Sequence, residues 1–296
     1  MVTDSGTLRV APKEIKCDPT YDITLRSDQD AQDYSILSSV MVPHNKLVIA
    51  TSDKKLGNIK VIDTIHEVIV QELGLSSRPW DMARFQGDRL AVTQTEERRI
   101  TFLLFSSTKP MQVEKEMHLS GQCYGVASLN DNLVVTFRNP AKVVVMDTLG
   151  NILKSFYKDS AGKNLFSFPC SVAVSADDQS IYVSDYSKHT VTSLALDGRV
   201  QAIYASDSLK RPRKIYTDTC GTVFVCGQAS NNVHVLSPAL EKLKVLQIGA
   251  VPKLFGVIKL FELGVSGPLS IHLCEKTDKL YVGMYKQNKV RVFQLV

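Results

Sequence analysis

The sequence predicts an all-β fold, a six-bladed β-propeller, and three observations predict it. One supersecondary unit recurs six times with a period of about 40–50 residues, the length of a four-stranded blade. Each copy consists of short β-branched and aromatic runs between turn residues, with little helical periodicity. The chain also opens on a strand with no partner in its own copy, while the last copy stops one strand short.

Taken in order, the orphan strand is TYDITLR at 20–26, and residues 1–19 are expected to form a lead or a further edge strand. Each copy then begins at one fixed slot, filled by Leu37, Pro79, Cys123, Pro169, Pro212 and Pro268, with spacings of 42, 44, 46, 43 and 56 residues. The second strands read LVIAT (47–51), LAVTQ (90–94), LVVTF (133–137), IYVSD (181–185), VFVCG (223–227) and LYVGM (280–284). The third strands read NIKVID (58–63), RITFLL (99–104), KVVVMD (142–147), TVTSLA (190–195), NVHVLS (232–237) and KVRVFQ (289–294). Turn pairs such as DD, DG and ND bound them. Pairing TYDITLR with the sixth blade would close the ring and cover an open edge, so one propeller is expected over 20–296. The long fifth spacing hides an insertion near 250–267. Its apolar residues (Leu254, Phe255, Val257, Ile258, Leu260, Phe261) suit a short amphipathic helix, packed on the propeller side or serving as a partner-docking lid.

Composition fits a folded domain: 44% of the 296 residues are hydrophobic and 22% charged. No apolar run approaches the ~18 residues of a membrane helix and no signal-peptide pattern opens the chain, so no membrane role and a cytoplasmic location are expected. The six cysteines contain no CxxC pair, which favours reduced thiols over a disulfide framework or a zinc site. Cys220 and Cys226 flank one strand, too far apart to bridge each other.

Two residues after each slot, at equivalent places on the innermost strands, stand Ser39, Asp81, Gly125, Ser171, Lys214 and Ser270. One carboxylate cannot build a hard-cation cage of six or more oxygens, so the ligand set of a metal-dependent propeller hydrolase is missing from this column. Asp81 and Lys214 belong to blades that face each other, which points to an ion pair or water-linked contact across the channel. No HExxH, G-x-S-x-G, G-x-G-x-x-G or P-loop pattern occurs. The expectation is a chain without catalytic residues, metal, cofactor or small-molecule substrate.

Positive charge gathers on one face. The loops entering the first strands and those joining the second and third strands share an end of the ring. They carry Lys54, Lys55, Arg78, Arg98, Arg99, Arg138, Lys142, Lys188, Arg211, Arg213, Lys286 and Lys289 against Asp53, Asp81, Glu96, Glu97 and Asp185. Interleaved are Trp80, Tyr124, Phe137, Phe168, Tyr186 and Tyr285. Cations neutralise phosphates while aromatic and guanidinium planes stack on unpaired bases, so the mixture suits single-stranded RNA; a protein or peptide partner is the alternative, and Trp80 could equally wedge between blades. LKRPRK (209–214) also matches a nuclear-localisation pattern, but Pro212 fills a blade slot and favours a loop reading.

The blades lack the GH and WD signature of WD repeats and the double glycine of kelch repeats. Their proline, V-A-V strand, Y-V-S-D strand and following strand resemble NHL repeats, most clearly in Pro169, Val172, Ala173, Val174, Ile181, Tyr182, Val183, Ser184, Asp185, His189 and Val191. The resemblance runs over about residues 20–296 and is nearest to the C-terminal propeller of invertebrate tripartite-motif (TRIM) NHL proteins. It implies a targeting domain for a RING ubiquitin ligase; no RING, B-box or coiled coil is present in this chain. Thr93-Gln94 and Cys226-Gly227 depart from the family's Ser-Asp, so two repeats are degenerate.

Overall fold

The computed structural model describes residues 19–25, 34–52, 56–106, 109–248 and 267–295. They form six antiparallel sheets of four strands each, and no helix occurs among them. Blade 1 is β2 (Ser35–Val42), β3 (Lys46–Ser52), β4 (Gly57–Asp63) and β5 (Val68–Leu75). Blade 2 is β6 (Pro79–Phe85), β7 (Arg89–Gln94), β8 (Arg99–Leu104) and β9 (Gln112–His118). Blade 3 is β10 (Cys123–Leu129), β11 (Asn132–Arg138), β12 (Ala141–Met146) and β13 (Ile152–Phe156). Blade 4 is β14 (Pro169–Val174), β15 (Ser180–Asp185), β16 (Thr190–Ala195) and β17 (Val200–Ala205). Blade 5 is β18 (Pro212–Thr217), β19 (Val223–Gly227), β20 (Asn232–Leu236) and β21 (Lys242–Gln247).

Blade 6 takes β22 (Pro268–Cys274), β23 (Lys279–Met284) and β24 (Lys289–Gln294) from the end of the chain and β1 (Pro19–Thr24) from its start. The closing strand therefore pairs as expected, shifted to 19–24, with Asp22 opposite Arg291 and Ile23 opposite Val290. Arg291 Nε sits 2.9 Å from Asp22 and Lys289 Nζ 3.6 Å from it. Burial alone would raise the Asp22 carboxyl, but these two cations hold it below the ordinary carboxylate range. The insertion predicted over 250–267 lies outside the described residues except for Gly267.

Blades stack face to face, so second and third strands are buried on both faces and read as continuous apolar runs. β3, β7, β11, β15 and β19 follow that pattern, whereas outer strands such as β9 are mostly exposed. The core is six apolar layers, one at each blade junction; Val61 meets Met82 and Leu90 between blades 1 and 2, and Val145 meets Val172 and Ile181 between blades 3 and 4. Inner strands touch around the whole ring. Blades 3 and 4 approach most closely at Gly125, where a Cβ would lie 2.6 Å from Ser171 Cα. Only glycine fits there.

The register corrects one alignment. Each first strand carries a bulge after its slot residue, and pairing partners identify equivalents: Pro169 faces Asp185, Pro268 faces Met284, and Ile36 faces Thr51. Ile36, not Leu37, fills the slot of blade 1. The channel column accordingly contains Ser38 rather than Ser39.

The degenerate repeats keep their loops by other means. In blade 4 the buried Asp185 carboxylate accepts from the N–H groups of Ser167, Phe168, Ser187 and Lys188, tying both loops of that end together. Gln94 does this in blade 2: its amide donates to Ser77 and its carbonyl accepts from Arg99 and Thr101. At Gly227 in blade 5 a Cβ would meet Ser230 Oγ at 2.3 Å and Asn232 Oδ1 at 2.4 Å, so those side chains fill the carboxylate's place. Asn232 Nδ2 then donates to Ser208 O.

Candidate functional site

The channel is closed at its wide end by one carboxylate. Asp81 Oδ1 accepts from Lys214 Nζ at 2.5 Å, Ser38 Oγ at 2.8 Å and Met82 N at 2.8 Å. Its Oδ2 accepts from Val126 N at 3.3 Å and Ser171 Oγ at 3.4 Å. Blades 1 to 5 all contribute a donor, and the cross-channel ion pair expected from the column is present. Ser270 Oγ completes the ring without a hydrogen-bond partner, as does Ser39 Oγ nearby. Above Asp81 remains a cavity of about 10 Å³, lined by Trp80, Arg213 and Leu269 among others, which is space for about one water. That space is too small for a nucleobase or a peptide side chain.

Around the mouth, Trp80, Tyr124 and Phe168, each one position from a slot, and Tyr186, just after β15, build an aromatic cluster over blades 2 to 4. Phe168 lies at its centre, 4.9 Å from Tyr124, 6.1 Å from Trp80 and 5.6 Å from Tyr186 between ring centroids. Trp80 stands edge-on to Tyr124 at 4.9 Å, and its Nε1 donates to Cys170 O. Arginines cap these rings from blades 3 and 5: Arg213 over Trp80 at 4.1 Å, Arg138 over Phe168 at 4.6 Å and Arg211 over Tyr186 at 5.6 Å. Each contact places a guanidinium within cation–π range of a ring.

Arg213 is buried, and burial pushes its guanidinium below the usual value, with Arg78 adding to that shift. Arg78 Nε is enclosed without a hydrogen-bond partner. No ion pair to Arg78, Arg138, Arg211 or Arg213 occurs among the described residues, in contrast to Arg99 and Lys214. Arg78 and Arg213 are largely withdrawn from solvent and Arg138 and Arg211 exposed, and four neighbouring cations without a carboxylate partner favour anions.

Several expected site residues have other employment. Tyr124 and Phe168 are only 6% and 7% exposed, so neither offers a free face to a base, and Arg138 covers Phe168. Arg99 is neutralised by Glu97 at 2.6 Å and Glu116 at 2.9 Å. Lys188 Nζ donates to Asn164 O and Leu165 O and thereby braces its own loop. Lys142 covers the buried Phe137 at 5.4 Å, and Tyr285 and Lys286 form a separate pair on blade 6, outside the aromatic cluster. Arg98 is exposed on its turn, while Lys54 and Lys55 lie outside the described residues. Cys170 belongs to the cluster although no chemistry signalled it, and Ser38 reaches Asp81 because of a bulge that no residue type announces.

No family model matches the chain, and no curated protein is recognisably similar to it in sequence. Solved structures do resemble it. A catalytically inactive virginiamycin B lyase from Staphylococcus aureus, with quinupristin, superposes with a TM-score of 0.63 at 12% identity over 93% of this chain and 99% of the lyase. A streptogramin B lyase gives 0.60 at 13% identity over 93% and 87%. Kuenenia stuttgartiensis hydrazine synthase gives 0.63 at 12% identity over 91% and 98%. The NHL and tripartite-motif relationship is not shown by these comparisons. At such identities they establish the six-bladed β-propeller fold, and the fold alone.

Proposed function

We propose that this propeller is a non-catalytic recognition module that binds single-stranded RNA on its arginine-capped mouth, acting in the cytoplasm as the targeting domain of a TRIM-type ubiquitin ligase. The observation that carries the RNA reading is the set Arg78, Arg138, Arg211 and Arg213, none in an ion pair among the described residues and three of them lying over aromatic rings. Phosphates would take the guanidinium edges and unpaired bases their outer faces, which is how arginine serves single-strand recognition. The ligase role rests on the NHL-like residues of blade 4. A lyase reading would follow two of the structural neighbours, yet the same mouth offers arginines, a spent carboxylate and buried rings, and no group of three or more His, Cys, Asp or Glu suited to a metal occurs among the described residues.

The test uses the two exposed arginines, Arg138 and Arg211, whose reversal spares the core. Arg138→Glu/Arg211→Glu should weaken binding of a mixed-sequence oligoribonucleotide at least about tenfold and flatten the slope of log K against log salt by about 1.4, the value for two lost single-strand phosphate contacts. Unchanged affinity in a folded double variant refutes the mouth. If the parent binds no RNA, a protein partner takes RNA's place.

A further inference from the structure

On the opposite end of the ring, between blades 4 and 5, lies a cleft of about 530 Å³. Its origin is visible in the register. The residues of each blade that face the next blade form a row across four strands. In blades 1, 2, 3, 5 and 6 the third and fourth members are Val61 and Gln71, Phe102 and Lys115, Val145 and Lys154, Val235 and Lys244, and Val292 and Tyr21. Blade 4 has Ser193 and Ala202. A large apolar residue and a long side chain are thus replaced by two small ones at a single junction. Val61, Phe102, Val145, Val235 and Val292 all belong to junction cores, and Ser193 to none.

The long fourth-strand residue has a task elsewhere. Lys115 Nζ donates to Thr148 O, in the turn between the third and fourth strands of blade 3, and Lys154 Nζ donates to Leu196 O, the equivalent carbonyl of blade 4. The corresponding carbonyl of blade 5 is Pro238 O. Ala202 cannot reach it, and Tyr182 OH donates to it from a position nearer the axis. A carbonyl oxygen has a second lone pair, and that of Pro238 meets no donor among the described residues. The cleft is walled by the turns at 175–177 and 219–221, floored by Ser180, Ser193 and Gln201, and its one charged lining residue is Asp177. The Ser175 hydroxyl and the Gln179 N–H hold that carboxyl below its ordinary range, so it stays ionised.

We propose that this cleft receives a lysine side chain of a bound peptide, in the place of the long side chain that blade 4 lacks. Gln201 Oε1 accepts from the Ser180 and Ser193 hydroxyls and covers the buried Ser193, so the stem lies over Gln201 and beside Ala202, in the space left by the missing lysine, and the ammonium meets Asp177 and the turn carbonyl. The volume exceeds one side chain and leaves room for flanking peptide backbone. This site is independent of the RNA reading and lies on the other face.

Cys220 is exposed on the wall, while Cys123, Cys170, Cys226 and Cys274 are buried, so its alkylation, followed by peptide-resolved mass spectrometry, reports occupancy. The tripeptide Ac-Gly-Lys-Gly-NH₂ should slow iodoacetamide modification of Cys220 several-fold at millimolar concentration, and its norleucine analogue should not. Ala202→Lys, which restores what other blades carry, should fold with an undiminished melting temperature, slow the alkylation without peptide and abolish the effect of the tripeptide. Ser193→Val should weaken that effect without adding a charge. Protection by the norleucine peptide, a full tripeptide effect in Ala202→Lys, or no protection of the parent overturns the proposal. Equal protection by n-butylammonium overturns its peptide source in favour of a free amine.

Discussion

Lys214 and Arg211, three residues apart, have opposite fates. Lys214 crosses the channel to Asp81 at 2.5 Å and is buried. Arg211 stays exposed, over Tyr186 at 5.6 Å, with no carboxylate partner among the described residues. Charge of the same sign on one loop and strand is in the first case consumed by the fold and in the second left for a ligand. Arg99 and Arg138 repeat the contrast: two glutamates neutralise the first, and an aromatic ring alone supports the second. What separates the neutralised from the unpaired cations on this face is the partner, not the residue type or the loop.

The strongest way to break this comparison is to remove the structural partner. Asp81→Ala leaves Lys214 as an uncompensated buried charge and strands donors from five blades, so denaturant unfolding should show a loss of about 3–5 kcal/mol or more. A loss below about 1 kcal/mol would mean that the ring does not depend on its hub. Phe168→Ala sharpens the contrast on the aromatic side. Its ring is buried beneath Arg138 and packed on three others, so truncation should cost about 3–5 kcal/mol of stability, as for a core phenylalanine, rather than act on binding alone. A variant with parental stability and weakened RNA affinity would restore Phe168 as a stacking platform.

These outcomes bear on how much could be read from residues alone. The period, the strands and the closing partner were legible because stacked blades demand continuous apolar strands, and an unpaired edge demands a strand to cover it. Asp81 and Lys214 were legible as a pair because they are the only charges in one column and sit three blades apart. The slot of blade 1 was not, since Ile36 and Leu37 are equally apolar and the bulge between them has no residue signature. Nor was the neutralisation of Arg99 by Glu116, a partner on the neighbouring strand, or the capture of Lys188 by two carbonyls. Tyr124 and Phe168 occupy the positions of solvent-facing rings in sequence, and their packing on Trp80, Tyr186, Cys170 and each other buries them.

A smaller effect is expected from pH. Burial lowers His272 from 6.5 to about 3, with Lys214 and Arg84 adding to the shift, and its ring lies 4.4 Å from that of Tyr216. The folded state thus binds a proton more weakly than the unfolded chain. Stability should be complete above about pH 6.5 and decline as pH falls from there toward 3. Across that window the loss is at most about 1.4 kcal/mol for each unit of pH. His272→Gln should flatten that part of the stability profile, and an unchanged profile would show that the imidazole titrates normally.

The central claim, that partnerless arginines rather than basic residues in general make the recognition surface, is tested most directly by titrating one single-stranded RNA against the parent, Arg138→Gln/Arg211→Gln and Arg99→Gln at several salt concentrations. The account predicts that the double variant loses about tenfold or more in affinity and about 1.4 in salt slope while Arg99→Gln keeps both. Equal losses in the two variants, or a loss confined to Arg99→Gln, would contradict it.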